Sequence, residues 1–144
     1  MAGSMIFVNL AVKDLDRTKD FWTGLGYSFD PIFTDENAAC LVISEGHNYA
    51  MLLTEPFFNG FLSKDKTAAD ATATTETMIG LSADSREEVD RLVDAALASG
   101  GSAIGEPMDQ GPMYGRAFQD PDGHHWEVMY MDMDAVQQQG EQAQ

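Results

Sequence analysis

Hydrophobic and polar positions alternate along Met5-Ile-Phe-Val-Asn-Leu-Ala-Val12. The alternation predicts a strand with Val8, Leu10 and Val12 on an apolar face and Phe7, Asn9 and Ala11 on a mixed one. The period then becomes helical. Leu15, Thr18, Phe21, Trp22 and Leu25 fall on one side of a predicted helix, with Asp14 as its N-cap and Gly24 and Gly26 as its stop. Short apolar runs near Tyr27–Phe29, Ala38–Ser44 and Tyr49–Thr54 read as strands, the last two joined by the turn Glu45-Gly46-His47-Asn48. Glu55-Pro-Phe-Phe-Asn-Gly-Phe61 is aromatic and turn-rich. Ser63 to Glu76 is polar and aperiodic, so 55–76 is expected to be an exposed connection, a candidate lid.

The same order then returns. Thr77-Met-Ile-Gly-Leu-Ser-Ala83 is strand-like, and Ser85-Arg-Glu-Glu88 has the form of a capping box, Ser hydroxyl and Glu carboxylate each taking a free N–H. Val89, Leu92, Val93, Ala96 and Leu97 make the stripe of the helix it opens, which Gly100-Gly101 ends. A strand at Ser102–Ile104, a loop over Gly105–Pro112 and a hairpin ending at Tyr130 complete the second set. The first strands superpose with a shift of 71 positions (78 − 7), pairing Phe7 with Met78 and Asp14 with Ser85. Beyond the helices a shift of 75 (101 − 26) pairs Gly26 with Gly101, Cys40 with Gly115 and Leu52 with Glu127. A repeat this long predicts an α+β chain of tandem βαβββ modules. Their expected extents are 5–54 and 77–131, followed by a polar tail over 132–144 that is expected to fray from Gln137 on.

The hairpin carries the candidate chemistry. Glu127 is an acid in an otherwise apolar strand, and a buried charge needs a partner or a use. In Asp120-Pro121-Asp122-Gly123, Pro121 favours a type I turn with Gly123 as the following left-handed residue. That three-residue loop pairs Asp120 with His124 and sets Ala117 opposite Glu127 and Gly115 opposite Met129, with Arg116 on the other face. A two-residue loop would instead set Arg116 opposite Glu127. His124 and His125 are neighbours on a strand and point to opposite faces. His125 shares the face of Glu127 at its rim, and His47 sits in the matching first turn. All three are read as surface or turn histidines.

Composition narrows the function. The net charge is −16, from 24 acids against 8 bases that form no cluster, which argues against nucleic acid or an anionic membrane as partner. The single cysteine, Cys40, excludes an internal disulfide and a cysteine-cluster metal site. No run is long and apolar enough to span a membrane and no signal-peptide pattern opens the chain, so a soluble cytoplasmic protein is expected. Gly-rich phosphate loops and nucleophile elbows are absent.

The tandem modules, Phe7-Val-Asn-Leu-Ala-Val-Lys-Asp-Leu15, Phe21-Trp-Thr-Gly-Leu-Gly-Tyr27 and Phe118-Gln-Asp-Pro-Asp-Gly-His-His-Trp-Glu127 resemble the glyoxalase / bleomycin-resistance / extradiol-dioxygenase superfamily, the vicinal oxygen chelate fold. The resemblance covers roughly residues 5 to 131. It implies a curled eight-stranded mixed sheet around a cavity, and a homodimer. It also implies four metal-ligand positions, at Phe7, Leu52, Met78 and Glu127. Only Glu127 suits a hard divalent ion there, since Phe7 and Leu52 have no donor atom and Met78 has a soft thioether. A catalytic ion needs about three protein ligands, so no cofactor is expected and a divalent metal is the alternative. The expected cavity wall is Phe7, Asn9, Cys40, Leu52, Met78, Met129 and Glu127, with Phe57, Phe58 and Phe61 able to close over it. Cys40 is equally readable as a buried structural cysteine. The function expected is metal-free binding of a small molecule, with Glu127 as polar anchor and a cationic or hydrogen-bonding ligand favoured over an anion. The alternative is a lactoylglutathione lyase-like enzyme using Glu127 as base or ligand. A third reading is a regulatory protein with a filled core.

Overall fold

Residues 2–142 are described by a computed structural model. The chain divides into two compact units, Met1–Thr74 and Thr75–Gln144. Each is a βαβββ module with one four-stranded mixed sheet.

In the first unit the expected strand forms as β1 (Ile6–Val12), and α1 (Leu15–Gly24) follows. The Asp14 carboxylate accepts the Arg17 N–H at 3.1 Å, so the predicted cap is in place. Leu15, Thr18, Phe21 and Trp22 are the buried stripe of α1. Gly26 ends it in the left-handed region, φ 95°, where a side chain would be strained. Then come β2 (Ser28–Phe29), β3 (Ala38–Ser44) and β4 (Asn48–Thr54). The sheet order is β1-β4-β3-β2, with β1 parallel to β4 and the other pairs antiparallel. The aromatic segment after β4 is a short helix, α2 (Glu55–Asn59), packed on β1 and β4. Its Pro56 falls in the first turn, where a missing N–H costs nothing.

The second unit repeats the plan with β5 (Met78–Ser82), α3 (Arg86–Ala98), β6 (Ser102–Asp109), β7 (Met113–Gln119) and β8 (His125–Met131), in the order β5-β8-β7-β6. Half of the capping box forms: Ser85 Oγ accepts the Glu88 N–H at 3.1 Å. The Glu88 carboxylate turns instead to Arg91, at 2.6 and 3.0 Å. β6 runs on through residues expected to be loop, because a bulge between Ile104 and Met108 lets the strand absorb Gly105 and Pro107 and continue. The tail expected to fray forms α4 (Met133–Gln142), capped by the Asp132 carboxylate on the Ala135 N–H at 3.2 Å; residues 143–144 lie outside the described ones.

Ladder register aligns the modules more closely than sequence does. The left-handed helix-ending glycines are Gly26 and Gly100, a shift of 74 (100 − 26), and not Gly26 and Gly101. Phe7 pairs with Tyr49 as Met78 pairs with His125, so β4 maps to β8 with a shift of 76 (125 − 49). Cys40 pairs with Met51 as Ala117 pairs with Glu127, so β3 maps to β7 with a shift of 77 (117 − 40). The extra residue is a bulge in β3 between Val42 and Ser44. Both hairpins have three-residue loops, Glu45-Gly46-His47 and Pro121-Asp122-Gly123, and aligning four-residue turns slips the match by one.

Candidate functional site

Side chains alternate across a strand, so register decides which ones share a face. In the second module Arg116 bonds Asp90 at 3.0 Å and Asp94 at 2.9 Å on α3, and Tyr114 donates to Asp90 at 2.6 Å. Phe118, Trp126 and Val128 share that helix-covered face and are buried. Hydrogen bonding from Tyr114, with Arg116 beside it, holds the Asp90 carboxyl below the usual range. Arg116 is therefore turned away from Glu127.

The turn has the three-residue geometry. Gly123 N–H donates to Asp120 O at 3.0 Å, Asp120 N–H to His124 O at 3.1 Å, and Gly123 has φ 92°. The buried Asp120 carboxylate locks it, accepting the N–H groups of Asp122 and His124 at 3.0 Å each and Trp126 Nε1–H at 3.0 Å. Burial pushes the Asp120 carboxyl up, which these bonds resist. The lock places Ala117 opposite Glu127 and Gly115 opposite Met129, as the proline argument expects.

The face away from α3 then holds Met78, Gly80, Ala117, His125, Glu127 and Met129. Glu127 has Ala117 on one neighbouring strand and Gly80 on the other, and nothing lies within 4 Å of where a Cβ on Gly80 would stand. Its carboxylate is 41% exposed, and His125 Nε2 lies 3.3 Å from Glu127 Oε1, the ring only 15% exposed. Met129 folds back over Gly115, its Cε 2.8 Å from where a Cβ there would be, so part of the room opposite is filled by thioether. Met78 is 63% exposed.

In the first module Phe7, Asn9, Cys40 and Met51 share the face away from α1. Phe7 stacks on Tyr49 at 5.1 Å, and Asn9 Nδ2 donates to Phe7 O at 3.3 Å. Cys40 is buried, and burial, with Asp30 and Glu45 adding to it, pushes its thiol up, so it is a packing residue and not a nucleophile. Leu52 departs from expectation. It pairs with Leu10 and Ala39 on the opposite face and is fully buried there. The one-residue slip in the repeat alignment is the cause, and Met51 stands where Glu127 stands in the second module. Phe57 packs edge to face on Phe61 at 5.2 Å and both are exposed, while Phe58 is half-buried in α2.

Two residues of this arrangement, Met51 and Gly80, were missed from sequence, and a third, His125, was placed on the face of Glu127 but read as a surface histidine. Met51 follows from counting both hairpin loops as three residues. Gly80, a glycine inside a strand, already signals room or close approach. His125 gave only its parity with Glu127, and its hydrogen bond carried no separate signal.

The model of the Glyoxalase/Bleomycin resistance protein/Dioxygenase superfamily matches residues 5–128. The chain belongs to this superfamily. A hypothetical protein from S. aureus is similar at 29% identity and TM-score 0.72, over 90% of this chain and 94% of that one. A glyoxalase/bleomycin resistance protein/dioxygenase family enzyme from Burkholderia phytofirmans PsJN shares the fold at 19% identity and TM-score 0.70, over 87% and 96%. So does the fosfomycin resistance protein FosX from Mesorhizobium loti, at 14% identity and TM-score 0.63, over 94% and 98%. No curated protein matches.

The superfamily's divalent metal can be tested against these residues. At the repeat-equivalent strand positions the first module carries Phe7 and Met51 and the second Met78 and Glu127; in neither module do these side chains supply the several oxygen or nitrogen donors that a hard divalent ion needs. His125 adds a nitrogen beside Glu127, but among the described residues no group of three His, Cys, Asp or Glu side chains is arranged to hold one. Among them, too, no helix is long and apolar enough to cross a membrane.

Proposed function

We propose that this superfamily member binds a small organic molecule without a metal, on the sheet face that carries Glu127. The supporting observation is the setting of that carboxylate. It is partly exposed between Ala117 and the empty space over Gly80, and Met78 and Met129 supply adaptable apolar surface around it. Phe7, Asn9 and Met51 are the corresponding surface of the first module, with Cys40 buried on the same face. Assembly as a homodimer is part of the proposal, and sedimentation at micromolar concentration checks it.

The test is a thermal-shift screen of apolar fragments with polar heads, on the native chain and on Gly80→Leu. The leucine enters the space beside Glu127, with nothing within 4 Å of its Cβ, so hits on the native protein should vanish in the variant while its circular dichroism spectrum holds. A screen without hits, or hits indifferent to Gly80→Leu, would overturn the assignment. The His125–Glu127 hydrogen bond gives a second reading, a lyase-like enzyme with Glu127 as base. That reading needs an oxyanion stabiliser, and no Lys or Arg stands on this face among the described residues.

A further inference from the structure

Glu127 has His125 beside it and no Lys or Arg on its sheet face among the described residues. Arg116, the only base on a strand, is committed to Asp90 and Asp94 on the opposite face. The other seven bases lie on helices or in connections: Lys13, Arg17, Lys19, Lys64, Lys66, Arg86 and Arg91. Among the described residues, the one side-chain hydrogen bond of Glu127 is to His125, through Oε1, which leaves Oε2 without a protein donor. The Glu127 side chain is partly exposed, so a ligand can reach its second oxygen. The superfamily would supply a metal cation, and the donor set here does not suit one. The chain as a whole, at −16, concentrates cations and repels anions.

We infer that an organic cation takes the metal's place: an ammonium or amidinium on a flat apolar body. The head pairs with Glu127 Oε2, and the body lies over Gly80 against Met78 and Met129, whose thioethers tolerate aromatic rings. His125 is a positioning residue. By holding Oε1 it fixes the plane of the carboxylate and directs the second oxygen to the ligand. The inference rests on the small-molecule reading above and narrows it to one charge class.

A matched set of probes tests it: 1-naphthylmethylamine, 1-naphthalenemethanol and 1-naphthoate share one ring and differ in charge. Binding is followed by chemical shifts of the Met78 and Met129 methyl groups and the Gly80 amide. The amine should bind at least tenfold tighter than the alcohol, and the naphthoate weakest. Glu127→Gln should erase that ranking, with an unchanged circular dichroism spectrum and urea midpoint showing that the variant is folded. His125→Leu should shrink the amine-to-alcohol ratio about threefold, and His125→Gln, which keeps a donor to Oε1, should restore it. Equal affinity for amine and naphthoate, or a ranking that survives Glu127→Gln, overturns the cation inference. If the alcohol binds and charge does not matter, the small-molecule reading stands and only the cation inference falls. If no probe moves these signals, both fall.

Discussion

Replacing Asp120 by asparagine removes a charge from the turn and one acceptor from its lock. The amide oxygen can still take the Asp122 and His124 N–H groups. The amide nitrogen then faces Trp126 Nε1–H, donor against donor, beside a fully buried indole. Leaving that N–H unpaired costs about 1–3 kcal/mol. The two retained bonds lose charge assistance, at roughly 0.5 kcal/mol each. Against this stands the burial cost that raises the Asp120 carboxyl, which the neutral amide avoids. Because the carboxyl is raised, burial costs the charged form more than the three donors return, so this saving offsets part of the loss, and the net expectation is a loss of about 1 kcal/mol, carried by the unpaired Trp126 N–H. Urea unfolding followed by circular dichroism measures it. In the double-mutant cycle with Trp126→Phe, the coupling should be about 1–2 kcal/mol. Amide exchange at Asp122 and His124 should quicken in Asp120→Asn. The raised carboxyl also has a pH signature: ionising it costs stability as pH rises from the unfolded carboxylate range to the higher folded value, and the variant lacks that step. Asp120→Asn as stable as the parent, with unchanged exchange at both amides, would refute the lock and return the stability of the turn to Pro121 and Gly123.

Leu52→Ala should cost about 2–5 kcal/mol in urea unfolding, as a fully buried leucine does, whereas Met51→Ala, on the half-buried opposite face, should cost clearly less. Gly80→Ala should be neutral or stabilising by about 0.5 kcal/mol, with nothing near its new methyl; Gly115→Ala should lose about 1 kcal/mol, because Val128 O stands 3.2 Å from its Cβ even after the Met129 thioether end, at 2.8 Å, swings aside. The Asp90 carboxyl is lowered in the folded state, so its contribution is present above the unfolded value of 3.8 and is lost as pH falls through the folded one. Tyr114→Phe should flatten that acid limb in pH-dependent melts. Cys40 should react with a thiol reagent only at the rate of unfolding, and a fast native reaction would contradict its burial.

The duplication, the caps at Asp14 and Ser85 and the face of Glu127 were all legible in the sequence, because each follows from local chemistry. Proline and glycine fixed the second hairpin, and with it the parity of Met78, Ala117, Glu127 and Met129. The first hairpin has no proline, and its glycine sits one position earlier in the loop. Leu52 was therefore assigned a face that Met51 occupies. The continuation of β6 across Pro107 and the helix α4 were hidden for a related reason. A bulge and an Asp132 cap depend on neighbours distant in sequence: Ala117 and Gly115 for the bulge, and Pro112, whose carbonyl receives the Asp132 N–H at 2.7 Å, for the cap.

The bulge in β3 also determines where the chain can change length. Val42 pairs with Tyr49 and Ser44 with Asn48, so Ile43 is surplus to the ladder. Removing Ile43 would leave every pair on both sides of it intact and convert a kinked strand into a plain one. Removing Val42 has nearly the same effect, since Ile43 then pairs with Tyr49, whereas a deletion at 38–40 turns the residues between it and the bulge to the other face. The strand thus tolerates the loss of a codon at its bulge and not at its far end.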